Sequence, residues 1–247
     1  MSTILITGAS SGYGQETARY FHEQGWSVIA TMRKPTSGVL LDSDRMRLLP
    51  LEVSDAASIA ACIDAAGPID VLVNNAGVGM GGAFEAAPLS EIRRIFDTNT
   101  FGVMAMIQAV LPAMRERGSG VVVNVTSSAT LAAFPFSAPY TASKTAIEGF
   151  SEALAPEIAP FGLRVKLVEP GLGLSTRFAQ NSAFDFAAHV PPAYAAHATE
   201  VFSARPTATT TERDVAEAVW RAVHDTTGQL RFPAGADALE LWDKRSW

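Results

Sequence analysis

Tyr140 and Lys144 lie four residues apart where a helical pattern opens, so their side chains share one face. An ammonium beside a phenol favours the phenolate, and a phenol of pKa ~10 must fall by ~2–3 units to exchange protons near neutrality. One cation at ~4 Å supplies up to ~4 kcal/mol at an effective dielectric of ~20, about the amount required. With four Tyr and four Lys in 247 residues, such a pair arises by chance roughly 6% of the time, so the spacing alone does not define a site. Ser127 stands thirteen residues before Tyr140, just beyond an expected strand, where a hydroxyl can polarise a carbonyl. Within Thr126-Ser127-Ser128 a lone serine would be ordinary.

A second constellation is built for binding. Thr7-Gly8-Ala9-Ser10-Ser11-Gly12-Tyr13-Gly14 lies between a strand pattern and a helix pattern. Glycines there permit a tight turn and let backbone approach a pyrophosphate, while the helix N-terminus supplies N–H donors and positive potential. The bland alternative is a turn that is merely tight. Asn74-Asn75-Ala76-Gly77 ends another strand, and strand C-termini at a switch point are where open α/β sheets bind ligands. Asn and Gly are also common in ordinary turns. About 20 residues past such a Gly turn, a carboxylate meets the ribose of NAD, whereas an Arg accommodates the 2′-phosphate of NADP. Here that count reaches Met32, Arg33 and Lys34, with no carboxylate between Val28 and Ser37. NADP(H) is therefore the expected cofactor, with Ser10 or Ser11 adding a hydroxyl. A solvated Arg33-Lys34 pair in a surface loop is the alternative. An oxidised nicotinamide would add its charge to that of Lys144 beside the phenol.

Positioning these groups requires alternating elements. Short apolar runs at 3–7, 26–32, 46–53, 69–74, 120–126, 163–169 and 229–232 read as strands. Helical patterns cover 14–24, 54–66, 90–115, 138–159 and 211–224, with Ser54 and Thr211-x-x-Asp214 as N-terminal caps. That alternation predicts an α/β fold with a parallel sheet covered by helices on both faces. Pro156 should kink or end the 138–159 helix early. The 101–111 stretch is apolar almost all round, so it should pack on the sheet on one side and on a second subunit on another. The irregular segment 172–206 reads as a substrate loop or lid.

Composition narrows the functional classes. Nineteen basic against twenty-five acidic residues give a net charge of −6, without a basic cluster, which disfavours nucleic acid and anionic membrane as partners. No apolar run approaches the ~18 residues of a transmembrane helix. Cys62 is the single cysteine and fits a reducing compartment, so a cytoplasmic protein with one domain over 1–247 is expected. His22, His189, His197 and His224 show no metal-ligand spacing, and no metal is expected. Phe134, Phe136, Phe178, Phe184, Phe186, Tyr194 and Phe202 are divided between core and substrate-pocket readings.

In order along nearly the whole chain, these motifs resemble the short-chain dehydrogenase/reductase family: the Thr7–Gly14 turn, Asn74-Asn75-Ala76-Gly77, Asn99, Ser127, Tyr140/Lys144 and Pro170-Gly171. Val28–Arg33 and Val168-Glu169-Pro170-Gly171 look like its 17β-hydroxysteroid-dehydrogenase-like branch. The resemblance implies a Rossmann-type domain with a seven-stranded parallel sheet. It implies Tyr140 as proton donor in reduction, Ser127 as carbonyl orienter, and Lys144 as ribose binder and depressor of the phenol pKa. Asn99 would hold the water of a proton relay. Gly8, Ser10, Ser11, Gly12, Tyr13, Gly14, Arg33, Glu52, Val53, Asn74, Ala76, Gly77, Pro170 and Gly171 would line the cofactor with Tyr140 and Lys144. The family's threonine five residues after the proline is Ser175 here, with Thr176 serving only after a local shift. A homodimer or homotetramer acting on an apolar carbonyl or alcohol is the implied state. A 3-oxoacyl-carrier ketoreductase and a redox-inactive NADP-binding regulator are the rivals; the first would want a basic docking patch, for which Arg93/Arg94 and Arg115/Arg117 are the candidates.

Overall fold

The computed structural model describes residues 1–176, 178, 185, 187–203 and 209–244. Seven parallel strands form one sheet in the order β3-β2-β1-β4-β5-β6-β7. They are β1 (Thr3–Ile6), β2 (Ser27–Met32), β3 (Met46–Pro50), β4 (Val71–Asn74), β5 (Gly120–Val125), β6 (Leu163–Pro170) and β7 (Arg231–Ala234). The order reverses between β1 and β4, so the loops leaving these two strands diverge and open a crevice between them.

Alternation along the strands decides which helix each residue meets. Ile4 and Ile6 of β1 face α1 (Gly12–Glu23) and α7 (Glu212–His224), in a core with Phe21, Val215 and Val219. Leu5 faces the other way, toward α2 (Ala56–Ala66), α4 (Gly102–Arg117) and α5 (Ala138–Ile158), with Ile59, Met106, Ile107, Ile147 and Leu154. Burial on both faces is why the strands are continuous apolar runs. Among the described residues, no helix is long and apolar enough to cross a membrane.

Several boundaries differ from the sequence expectation. Asp55, not Ser54, caps α2, its Oδ1 accepting the Ala57 and Ser58 N–H groups at 2.8 and 3.3 Å. Thr211 and Asp214 do form the reciprocal cap of α7. The third strand stops at Pro50, and the last runs 231–234 rather than 229–232. α5 continues through Pro156 to Ile158 without ending early. The proline lies in the last turn, where few downstream helical bonds remain to be disturbed. The expected 90–115 helix is α3 (Leu89–Phe96), a π-helical turn at Asp97–Phe101, and α4. The 101–111 stretch packs one face on the sheet through Val103, Met106, Ile107 and Val110, while Phe101 is 59% exposed. Within the irregular segment, α6 (Ala195–Ser203) is a further helix. α8 (Ala236–Asp243) follows β7.

Candidate active site

The loops leaving β1 and β4 are bonded to each other. Thr7 Oγ1 accepts the N–H groups of Asn75 and Ala76 at 3.0 and 2.9 Å. Asn75 Nδ2 donates in return to the carbonyls of Thr7 and Gly8 at 2.9 and 3.1 Å. Gly8 has φ +70°, and a Cβ there would lie 2.8 Å from the Ala76 Cα, so only glycine permits this approach. Gly14 is equally confined: its Cβ would fall 2.6 Å from the Gly8 carbonyl oxygen.

Sequence reasoning favoured Asn74 over Asn75 as a cofactor contact. The Asn74 side chain enters a buried polar chain. Its Nδ2 donates to Asn124 Oδ1 at 2.9 Å, and Asn124 Nδ2 donates to Ser151 Oγ at 2.9 Å, a buried chain from β4 through β5 to α5. Asn74 ends β4 and Asn75 opens the loop beyond it, so the two adjacent amides bind different partners.

This crevice suits a dinucleotide. α1 begins at Gly12 with no side-chain cap from Ser11 and no acidic residue in its first turn, leaving backbone donors for an anion. Ser10 is exposed, and Arg33 is exposed just past the end of β2. Glu52 and Val53 follow β3; Glu52 Oε1 accepts from Ser54 Oγ at 2.9 Å, and Val53 is buried beneath Gly102. Tyr13 crosses the crevice, its hydroxyl donating to the Gly171 carbonyl at 3.3 Å. Burial, reinforced by the carboxylates of Asp237 and Glu212, pushes that phenol above its ordinary value. Pro170 ends β6, and Gly171 N–H donates to Ala234 at 3.1 Å. Asp237 at the start of α8 accepts the Leu172 N–H at 2.6 Å and the Thr210 hydroxyl at 2.6 Å, fixing the loop after Gly171. Ser175 donates to Glu212 Oε2 at 2.9 Å, while Thr176 packs toward Gly12. Thr176, not Ser175, is the one of the two that faces the Gly turn.

The reactive residues converge where β5 ends against the first turns of α5. Ser127 stands next to the Tyr140 phenol. Burial pushes the phenol above its ordinary value, and the neighbouring Ser127 hydroxyl opposes this. Lys144 is 5% exposed, and its Nζ donates to the Val125 carbonyl at 3.0 Å. Desolvation pushes this lysine down to about 8, with the Glu148 carboxylate opposing. Gly77 completes the corner: a Cβ on it would lie 3.3 Å from both Lys144 Nζ and Asn99 Oδ1.

Asn99 sits in the π-helical turn and is wholly buried. Its Oδ1 accepts the Val78 N–H at 2.9 Å, and its Nδ2 donates to the Val78 carbonyl and to Ser143 Oγ at 2.9 and 3.1 Å. Both amide hydrogens are committed, so the side chain joins the loop after β4 to α5. π-turns inside helices often mark functional sites, and this one re-aims Asn99 toward that loop.

Phe178 meets the Tyr140 ring edge-on, centroids 5.6 Å apart, and lies against Gly79. Further out, Phe136 packs on Tyr194, His197 and Phe202 beside a cavity of about 250 Å³ lined also by Ala83, Phe84 and Pro135. Phe136 adopts φ +64°, a strained conformation for a non-glycine residue. Phe184 and Phe186 lie outside the described residues.

A seven-stranded parallel sheet, a tight Gly turn opening α1 and a serine and tyrosine beside a buried lysine define a class of nucleotide-dependent oxidoreductase folds. Residues 2–185 match the family model for short chain dehydrogenase, and the chain belongs to that family. It is 43% identical over 182 residues to a 3-ketodihydrosphingosine reductase of Bacteroides thetaiotaomicron, covering 72% of this chain and 66% of the relative. It is 39% identical over 184 residues to human 17-beta-hydroxysteroid dehydrogenase type 1, covering 69% of this chain and 56% of that protein. The match thus spans less than two thirds of these relatives' own length. A solved short-chain dehydrogenase from Streptomyces avermitilis superposes with a TM-score of 0.85 at 36% identity, covering 98% of this chain and 91% of that one. A serine dehydrogenase complexed with NADP+ gives 0.76 at 29% identity, with 93% and 94% covered. A 3-ketoacyl-(acyl-carrier-protein) reductase from Brucella melitensis, complexed with NADH, gives 0.76 at 27%, with 94% and 96% covered.

Proposed function

We propose that this protein transfers hydride reversibly between NADP(H) and the carbonyl or alcohol carbon of an apolar small molecule. The observation that carries the reading is Lys144, buried one turn along α5 from Tyr140 with its ammonium on the carbonyl of Val125, two residues before Ser127. A nicotinamide dinucleotide bound across the ends of β1 and β4 supplies the hydride. Backbone around Gly8, Ser10, Ser11, Gly12, Tyr13 and Gly14 would hold its pyrophosphate, and Arg33 the 2′-phosphate. Glu52 and Val53 would flank the adenine, and Ala76, Gly77, Pro170 and Gly171 the nicotinamide half.

In reduction, Ser127 donates to the substrate carbonyl oxygen and fixes it against Tyr140. Tyr140 then gives up its phenolic proton to that oxygen, and its burial keeps the proton in place until the oxygen becomes basic. Lys144 stabilises the phenolate left behind and holds the ribose. Asn99 and Ser143 hold the loop after β4 and the start of α5 in register.

An apolar substrate is supported by Phe178 over Tyr140 and by the aromatic cavity around Phe136. Against a carrier-linked substrate, Arg93/Arg94 and Arg115/Arg117 lie at opposite ends of one helical run, on the order of 30 Å apart, so they do not make one docking patch. Arg94 is also paired with Glu91 at 2.8 Å. A homodimer or homotetramer in the cytoplasm completes the proposal. Its test is NADPH consumption with a panel of hydrophobic ketones, small polar ketones and carrier-linked 3-oxoacyl groups. Turnover confined to hydrophobic ketones is the expected result; turnover confined to carrier-linked substrates, or none with any carbonyl, overturns the reading.

A further inference from the structure

Beside the reactive residues lies a buried cluster of charge that the chemistry above does not use. Glu148, one helical turn beyond Lys144 on α5, is 3% exposed, and Glu169 near the end of β6 is wholly buried. Arg231, which opens β7, joins them. Its Nη1 donates to Glu148 Oε2 at 2.8 Å and to Glu169 Oε1 at 2.5 Å, and its Nη2 donates to Glu152 Oε1 at 2.7 Å. Glu148 Oε1 accepts the Thr126 hydroxyl at 3.1 Å.

Two consecutive residues at the end of β5 therefore bind α5 one helical turn apart. The Val125 carbonyl accepts from Lys144 and the Thr126 hydroxyl donates to Glu148, with Ser127 next in the chain. The charge cluster and the reactive pair share one strand end and one helix.

A buried ammonium is kept charged by an opposite charge one helical turn away, and a second cation on the same carboxylate weakens that support. The geometry points to Glu148 and Arg231 as opposed positioning residues that set the charge of Lys144: Glu148 holds the ammonium protonated, and Arg231 limits how strongly it does so. The groups facing Lys144 are few among the described residues. From α5 come Tyr140 and Glu148; from β5 come the Val125 carbonyl and Ser127; Gly77 and Asn99 add nothing ionisable. Behind Glu148 stand Arg231 and the two further carboxylates it binds, Glu169 and Glu152. Lys166 of β6 points to the other face of the sheet, over Phe232 and bonded to Asp225. Desolvation lowering Lys144 to about 8, with Glu148 opposing, agrees with this arrangement.

The effect on turnover rests on the Tyr140–Lys144 reading, but the primary test does not. The chain has four lysines, so NMR of protein labelled at lysine Cε gives few signals, and Lys144→Met identifies the one of interest. Titrated without added cofactor, Lys144 should show a midpoint near about 8 in the wild type. Glu148→Gln should lower it by about one unit or more, and Arg231→Met should raise it by a similar amount. Arg231→Lys, which keeps the charge, should leave it nearly unmoved. Shifts of the same sign in Glu148→Gln and Arg231→Met, or an unmoved midpoint in folded Glu148→Gln, would overturn the proposal. Where Arg231→Met does not fold, the sign in Glu148→Gln alone decides. Opposite shifts alongside a fully active Tyr140→Phe would keep this pair and sink the proton-transfer reading; a fixed midpoint with an inactive Tyr140→Phe would do the reverse.

Discussion

Thr7 and Asn75 bind each other in both directions: the threonine hydroxyl accepts the asparagine's backbone N–H at 3.0 Å, and the asparagine amide donates to the threonine carbonyl at 2.9 Å. This doubled bond fixes the spacing of the two loops between which the dinucleotide is proposed to bind. Asn75→Ala would leave the carbonyls of Thr7 and Gly8 without these donors, at about 1–3 kcal/mol for each that stays unsatisfied. We expect cofactor Kd to rise at least ~10-fold, with a lowered Tm. Fluorescence titration with NADPH and a thermal melt check this; unchanged affinity in the variant would contradict it.

The cofactor preference hangs on Arg33. No carboxylate lies between Val28 and Ser37, and the guanidinium is exposed just past β2. A charge-assisted hydrogen bond to the 2′-phosphate contributes ~1.5–3 kcal/mol, roughly a 10- to 150-fold preference for NADPH. Measuring kcat/KM with both cofactors, the wild type should show that preference and Arg33→Ala should lose most of it. Equal efficiency in the wild type would remove the assignment.

Assembly is predicted through α4 and α5. Phe101 is 59% exposed, and Ala142, Gly149 and Ala153 on α5 are exposed small residues that let another helix approach closely. Light scattering at micromolar concentration should give two or four times the 26.1 kDa of one chain, and Ala153→Arg should reduce it. A wild-type mass of a single chain would refute this.

Much of this site was legible in the chain. The Gly turn, Ser127, Tyr140 and Lys144 announce themselves because each stands at a strand end or helix start whose pattern is strong. What the sequence hid depends on which way a side chain turns. Asn74 and Asn75 are adjacent and identical in type, and only their different partners separate a core link from a loop clamp. The π-helical turn at Asp97–Phe101 inserts one residue into a helical period and leaves no compositional mark. Arg231 is 83 residues from Glu148, and nothing local to either predicts that β7 lies beside β6.

The central claim is that Tyr140 moves the proton, with Ser127 and Lys144 preparing it. The most direct measurement is single-turnover reduction of a confirmed ketone by the wild type and Tyr140→Phe at saturating NADPH. The account predicts a fall of at least ~10²-fold in the rate, the lower range for losing a positioned general acid, with NADPH affinity nearly unchanged. A variant reducing the ketone at close to the wild-type rate would contradict it.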